Sequence, residues 1–212
     1  MISFVLVADV DSTLIKDEVI ELLADAAGTR AEVAQITARA MAGDIDFAES
    51  LRERVATLRG LPESVISETI RRVRPSNGLA ELVDAVHRRQ GRIGAVSGGF
   101  SQVLDVLAPQ YGIDMWRANS LSIRDGHLLG EVTGTIVDAR VKAQTLRQWS
   151  ADLGLPSAQV IAMGDGANDL LMMDEAGLSI AYCAKPRVRE HAQVSIDVPD
   201  LREVIPYLPQ TP

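Results

Sequence analysis

Short apolar runs recur along the chain at residues 4–9, 92–97, 160–164 and 178–183, with a shorter one at 195–198. Runs of that length without polar alternation predict strands buried on both faces of a parallel sheet. Between them the pattern shifts to helical spacing. Residues 79–90 end in His87, Arg88 and Arg89 with Gly91 beyond, a basic last turn followed by a glycine stop. Residues 141–153 follow Asp138, which suits a helix N-cap, and Gly154 closes them. Residues 101–107 read as another helix. Strands alternating with helices predict an α/β fold on a Rossmann-like, mostly parallel sheet.

Two segments break this rhythm. Residues 122–134 carry Asp125-Gly126 between apolar runs, which predicts a β-hairpin. Residues 15–74 show no strand pattern. There Val19, Leu22, Leu23 and Ala26 repeat at helical spacing, as do Phe47, Leu51, Val55 and Leu58. Gly28, Gly43 and the Gly60-Leu61-Pro62 stretch divide this segment into about four helices. The expected organisation is a core domain of residues 1–14 and 75–212, interrupted after its first strand by a small helical cap domain, residues 15–74.

Composition adds limits. The 212 residues are 47% apolar and 24% charged, ordinary for a globular chain with one large domain and an insert. The formal charge is −8 and the pI about 4.9, so neither nucleic acid nor an anionic membrane is an expected partner. An anionic ligand therefore needs local compensation from a metal ion, basic side chains or helix N-termini. The one cysteine, Cys183, has no partner for an internal disulfide, which points to a reducing compartment. The first apolar run has no basic flank or small-residue cleavage site, and no apolar run is long enough to span a bilayer. The expectation is a soluble, cytoplasmic protein.

Asp9 and Asp11 end the first apolar run. Side chains two apart on a strand point the same way, so both carboxylates emerge together at the carboxyl edge of the sheet, where open α/β sheets bind ligands. Taken alone, Asp9-Val10-Asp11-Ser12-Thr13 suits the start of a helix equally well. An EF-hand loop does not fit, because Leu14 stands where its glycine belongs and Ile20 where its bidentate Glu belongs. A second acidic turn, Gly164-Asp165-Gly166-Ala167-Asn168-Asp169, follows another expected strand. Asp169 stands where a dinucleotide fingerprint carries its third glycine, and its charge would repel a pyrophosphate. The turn is either a plain strand-to-helix connection or, with Asp9 and Asp11, part of an oxygen-rich cage for a hard cation such as Mg²⁺. Ser97-Gly98-Gly99-Phe100 offers a hydroxyl and free N–H groups to a phosphate, or is a simple Gly-Gly turn. Lys142 by itself reads as a solvated helix lysine.

In chain order, the Asp-x-Asp pair, the Ser-Gly-Gly turn, the lysine and the Gly-Asp-x-x-x-Asp turn resemble the arrangement of the haloacid dehalogenase superfamily. The likeness runs over essentially the whole chain, helical insert and hairpin included. It implies hydrolysis of a phosphate monoester through an aspartyl-phosphate, with Asp9 as nucleophile and Asp11 as general acid and then base. It also implies Mg²⁺ held by Asp9, the backbone carbonyl of Asp11 and Asp165, with Asp169 close by. Ser97, the Gly98 and Gly99 amides and Lys142 would grip the phosphoryl oxygens, and Asn168 would hydrogen-bond at the same site.

Within the superfamily the insert resembles that of members hydrolysing L-phosphoserine in L-serine biosynthesis. Glu18 matches the carboxylate that meets the substrate ammonium, and Arg54 the guanidinium that meets its carboxylate. Met41 and Phe47 match apolar contacts. The alternatives are another small phosphate ester, or transfer of the phosphoryl group to an acceptor such as homoserine. Receiver-type signalling domains also combine an acidic cluster, Mg²⁺ and a lysine. Asp11 and the helical insert argue against that class, since a phosphoryl store gains nothing from a base that speeds hydrolysis. A small-molecule substrate and a monomeric or homodimeric state complete the expectations.

Overall fold

The computed structural model describes residues 2–210, apart from the side chains of Met41 and Ala42. Phe4–Ala8 (β1) is buried at every position. Phe4, Leu6 and Ala8 enter one apolar layer and Val5 and Val7 the other, the alternation a pleated strand imposes. β1 pairs in parallel with Gly91–Phe100 (β2) on one side and Val160–Gly164 (β5) on the other. With Met115–Arg124 (β3), His127–Thr133 (β4), Leu178–Tyr182 (β6) and Val194–Ile196 (β7), the sheet order is β4-β3-β2-β1-β5-β6-β7. Every pairing is parallel except that of β3 with β4, the hairpin at one edge. Successive strands run outward from β1 in opposite directions, so its carboxyl end is a topological switch point.

Between β1 and β2 lie Val19–Ala27 (α1), Arg30–Ala42 (α2), Phe47–Ala56 (α3) and Ser64–Arg72 (α4). Gly28 and Gly43 close α1 and α2 with φ of 69° and 85°, left-handed values that cost glycine nothing. Asp46 caps α3 by accepting the Glu49 N–H at 2.8 Å. Leu23, Leu51 and Val55 from these helices, and Leu58 from the turn after α3, join the Phe4 layer. The edge hairpin reaches the same segment, where the Gly60 N–H donates to the Leu128 carbonyl at 2.8 Å. The two chain crossings between helices and sheet run side by side. Lys16 N–H donates to Arg74 O at 2.9 Å and Ser76 N–H to Leu14 O at 3.0 Å, while the buried Asp17 carboxylate accepts the Arg74 N–H at 2.7 Å.

Leu79–Arg88 (α5), Ser101–Tyr111 (α6) and the 3₁₀ turn Leu201–Tyr207 cover the Phe4 layer. Ala139–Asp152 (α7), Leu170–Asp174 (α8) and Pro186–His191 (α9) cover the other. Some bounds differ from the sequence pattern. β1 stops at Ala8, because Asp9 leads into a turn over Val10–Leu14 that the Ile15 N–H closes on the Val10 carbonyl at 3.0 Å. β2 runs on through Ser97 to Phe100, and β7 occupies Val194–Ile196 rather than 195–198. The parallel half of β3 escapes the apolar pattern because it carries the exposed Arg117 and the buried Asn119, which takes polar partners inside the fold. Among the described residues no helix is long and apolar enough to cross a membrane.

Candidate active site

Parallel register brings three chain segments to one edge. Ala8 pairs with Ala95 on β2 and with Met163 on β5, so Asp9, Ser97 and Asp165 leave neighbouring strands at nearly the same level. Asp138 caps α7 by accepting the Val141 N–H at 2.8 Å, which starts that helix below the same edge. Lys142, one turn in, is fully buried. Its ammonium donates to Asp9 Oδ1 at 2.5 Å and to Asp169 Oδ1 at 2.8 Å. Burial opposes the lysine charge, but the Asp169 and Asp9 carboxylates outweigh it and hold the ammonium protonated well above its usual range.

Asp9, Asp165 and Asp169 each present an oxygen within 4.8 Å of the others. Burial raises Asp9 well above the ordinary carboxylate range, and the Asp169 charge adds to this against the pull of Lys142. Burial, with the charges of Asp169 and Glu18, pushes Asp165 up to about 6. Burial leads both shifts, and three carboxylates here share one ammonium. Clustered hard oxygens with unbalanced charge fit a small hard cation such as Mg²⁺.

The Asp11 carboxylate stands outside that cluster. Its Oδ1 accepts the Val19 N–H at 3.1 Å and its Oδ2 accepts the Ser97 hydroxyl at 3.3 Å. The stretch is not the N-cap of α1, whose N-cap position is Glu18; Asp11 reaches the first N–H of that helix from eight residues upstream, and Asp9 makes no cap bond. Burial pushes Asp11 up to about 7, the Glu18 charge adds to it, and the Val19 N–H opposes it. Across β2, Ser97 Oγ accepts the Gly99 N–H at 2.7 Å. A Cβ on Gly99 would come within 2.8 Å of Asp11 Oδ2, and one on Gly98 within 2.9 Å of the Phe47 ring. Only glycine lets the carboxylate and the ring approach so closely.

The facing wall comes from α1 and α3. Glu18, Phe47 and Arg54 line a cleft of about 140 Å³ with Asp9, Asp11 and Asp165 opposite. Phe47 and Arg54 share a face of α3, two turns apart. The Arg54 Nε–H donates to the Ser50 carbonyl at 3.2 Å. Burial lowers its guanidinium pKa, and the charges of Glu18 and Asp11 oppose that shift. Glu18 Oε1 accepts the Ser12 hydroxyl at 2.6 Å.

Of the expected site residues, Gly98, Gly99 and Asn168 also line the cleft. Ser97, Lys142 and Asp169 are buried behind it. The Met41 side chain lies outside the described residues. Sequence pattern does not single out Lys185, which lines the cleft after β6. Its place beyond the carboxyl end of a strand is the signal that marks Asp165.

A family model described as haloacid dehalogenase-like hydrolase matches residues 6–174. The chain is 52% identical over 203 residues to the phosphoserine phosphatase of Streptococcus thermophilus, covering 96% of this chain and 94% of that one. It is 51% identical over 199 residues to the phosphoserine phosphatase of Streptomyces coelicolor, covering 94% of this chain and 48% of that protein. Among solved structures it is similar to a substrate-bound phosphoserine phosphatase complex, with a TM-score of 0.93 and 36% identity over 99% of this chain and 100% of the other. The phospho-aspartyl intermediate analogue of phosphoserine phosphatase matches with the same TM-score of 0.93.

Proposed function

The chain belongs to the haloacid dehalogenase-like hydrolase family, and from that premise we propose that it is a Mg²⁺-dependent phosphatase converting L-phosphoserine to L-serine and phosphate. Residues 1–14 and 75–212 act as the catalytic core, and residues 15–74 as a cap that selects the substrate. The observation that carries this reading is the pairing of opposed walls. A carboxylate cluster with a buried lysine faces Glu18 and Arg54, whose opposite charges complement the ammonium and carboxylate of an amino-acid phosphoester. The relatives and the substrate-bound neighbour support the same substrate.

In the first step an Asp9 carboxylate oxygen forms a bond to phosphorus as the phosphorus–seryl oxygen bond breaks. The Asp11 carboxyl gives its proton to the departing seryl oxygen. The position of Asp11 near pH 7 suits this exchange, because it holds a proton before the step and releases it readily. In the second step water attacks phosphorus, its proton returns to Asp11, and the phosphorus–Asp9 bond breaks. Lys142 holds the Asp9 carboxylate in place through its ammonium and opposes the burial that raises it. Ser97, Gly98, Gly99 and Asn168 orient the phosphoryl group, and Phe47 excludes water above it. Asp9, the Asp11 carbonyl and Asp165, with Asp169 close by, would hold Mg²⁺, which would supply charge neutralisation at the phosphoryl oxygens.

A cytoplasmic location and a monomeric or homodimeric state accompany this reading, for a metabolite substrate and a chain with one exposed free cysteine. The test is a phosphate-release panel of phosphoserine, phosphoethanolamine and glycerol phosphate, with Mg²⁺, with EDTA and with added homoserine. The expected result is highest kcat/KM on phosphoserine, silence in EDTA and recovery with Mg²⁺. Equal turnover across the panel would remove the substrate assignment. Phosphoryl transfer to homoserine in place of water would replace hydrolysis with group transfer.

A further inference from the structure

Regular pairing between β2 and β3 lapses where the Ser97-Gly98-Gly99 stretch lies. Val96 is level with Arg117 and Phe100 with Asn119, so β2 spends four steps where β3 spends two. Regular pairing with β3 does not cover the stretch between Val96 and Phe100, and one side chain takes up the Gly98 carbonyl there. Asn119 is buried at 1% exposure. Its Nδ2 donates to the Gly98 carbonyl at 2.8 Å, and its Oδ1 accepts the Val137 N–H at 2.8 Å. A carbonyl can only accept and an N–H can only donate, so the amide has one orientation.

The Gly98 carbonyl and the Gly99 N–H belong to one planar peptide, so fixing the first aims the second in the opposite direction. That N–H donates to Ser97 Oγ at 2.7 Å. With its oxygen so engaged, the Ser97 hydroxyl directs its hydrogen to Asp11 Oδ2 at 3.3 Å. At its other end Asn119 holds Val137, the residue before the Asp138 cap of α7, and α7 carries Lys142. One amide thus connects the phosphate turn, the acid–base carboxylate and the helix bearing the lysine, in a chain of hydrogen bonds that reinforce one another.

We infer that Asn119 is a positioning residue for this reaction, holding the Gly98–Gly99 peptide so that Ser97 points at Asp11. The inference rests on the functional reading above. Asn119→Asp keeps the acceptor for Val137 but sets a carboxylate oxygen against the Gly98 carbonyl. In folded protein we expect kcat on phosphoserine to fall about 10–100-fold, the scale of lost outer-shell support and small misplacements. KM should change far less, because Glu18 and Arg54 are untouched. The loss should also shrink to near nothing in a Ser97→Ala background, which a purely structural role would not produce. If Asn119→Asp does not fold, Asn119→Leu removes both bonds without adding charge and is held to the same criteria. A folded variant with wild-type kcat, or losses that simply multiply with Ser97→Ala, would overturn the inference. Wild-type turnover of phosphoserine and its loss in Asp9→Asn are measured alongside. Absence of wild-type turnover sinks both readings, whereas an active wild type, a dead Asp9→Asn and unimpaired Asn119 variants sink only this one.

Discussion

On the sheet side of the cleft, Lys142 and Asp169 are 0% exposed and the ammonium is shared between two carboxylates. On the helical side, among the described residues, Glu18 accepts one hydrogen bond from Ser12, and Arg54 is held through its Nε alone. Buried ions bonded to one another cannot shift without leaving a charge uncompensated, at a cost of about 3–5 kcal/mol when one partner is removed. Charges held by a single bond can turn toward a ligand. The comparison separates chemistry on a rigid wall from recognition on an adaptable one.

The largest expected effect breaks the rigid wall. Asp9→Asn should lower kcat by a factor on the order of 10⁴ or more, the scale of removing a covalent nucleophile, and steady-state phosphate release measures it. Near-normal turnover would end the covalent route. Asp11→Asn should cost about 10²–10⁴ in kcat. In the wild type, the first step should slow as pH rises through about 7, where the raised Asp11 carboxyl loses its proton. The same shift has a stability consequence. The folded protein binds that proton more tightly than the unfolded chain, so this contribution is present at low pH and is lost as pH rises from about 4 to about 7. Metal-free Asp11→Asn should therefore melt higher than the wild type at about pH 8, and thermal unfolding at that pH checks it. A lower melting temperature would mean that Asp11 is not strained by burial.

Smaller effects belong to the adaptable wall. Arg54→Ala should reduce kcat/KM for phosphoserine by about 10–100-fold, the equivalent of a hydrogen bond to a charged group. Turnover of phosphoethanolamine, which has no carboxylate, should change little. Equal losses on both substrates would erase the distinction between the walls. Ser12→Gly removes the hydroxyl that holds Glu18 and should raise KM for phosphoserine by about 2–10-fold. Ser12 has φ of 57°, a left-handed value that glycine takes freely, so the variant should keep its melting temperature. A fall in kcat with KM unchanged would place Ser12 on the chemical side instead.

What the sequence makes legible follows the same division by burial and distance. β1 and β5 are continuous apolar runs because both their faces are covered. In the insert, α1 and α3 show apolar stripes, and α1 and α2 end on glycines at φ values that favour glycine. Asp9, Asp11, Asp165 and Asp169 are readable because strand ends at a switch point are where ligands bind. Lys142 is readable only by family likeness, since the partner that buries its charge, Asp9, lies 133 positions away. Asn119 gives no local signal at all. Its partners are 21 and 18 positions distant, and it sits in a strand whose polar residues hide its buried character.

The most direct measurement follows the phosphoryl group itself. Phosphoserine labelled at phosphorus is mixed with enzyme and Mg²⁺, quenched in acid during turnover and digested. The label should ride on the peptide containing Asp9 and vanish in Asp9→Asn. Turnover with no label on the protein, or with the label on another residue, would contradict the mechanism.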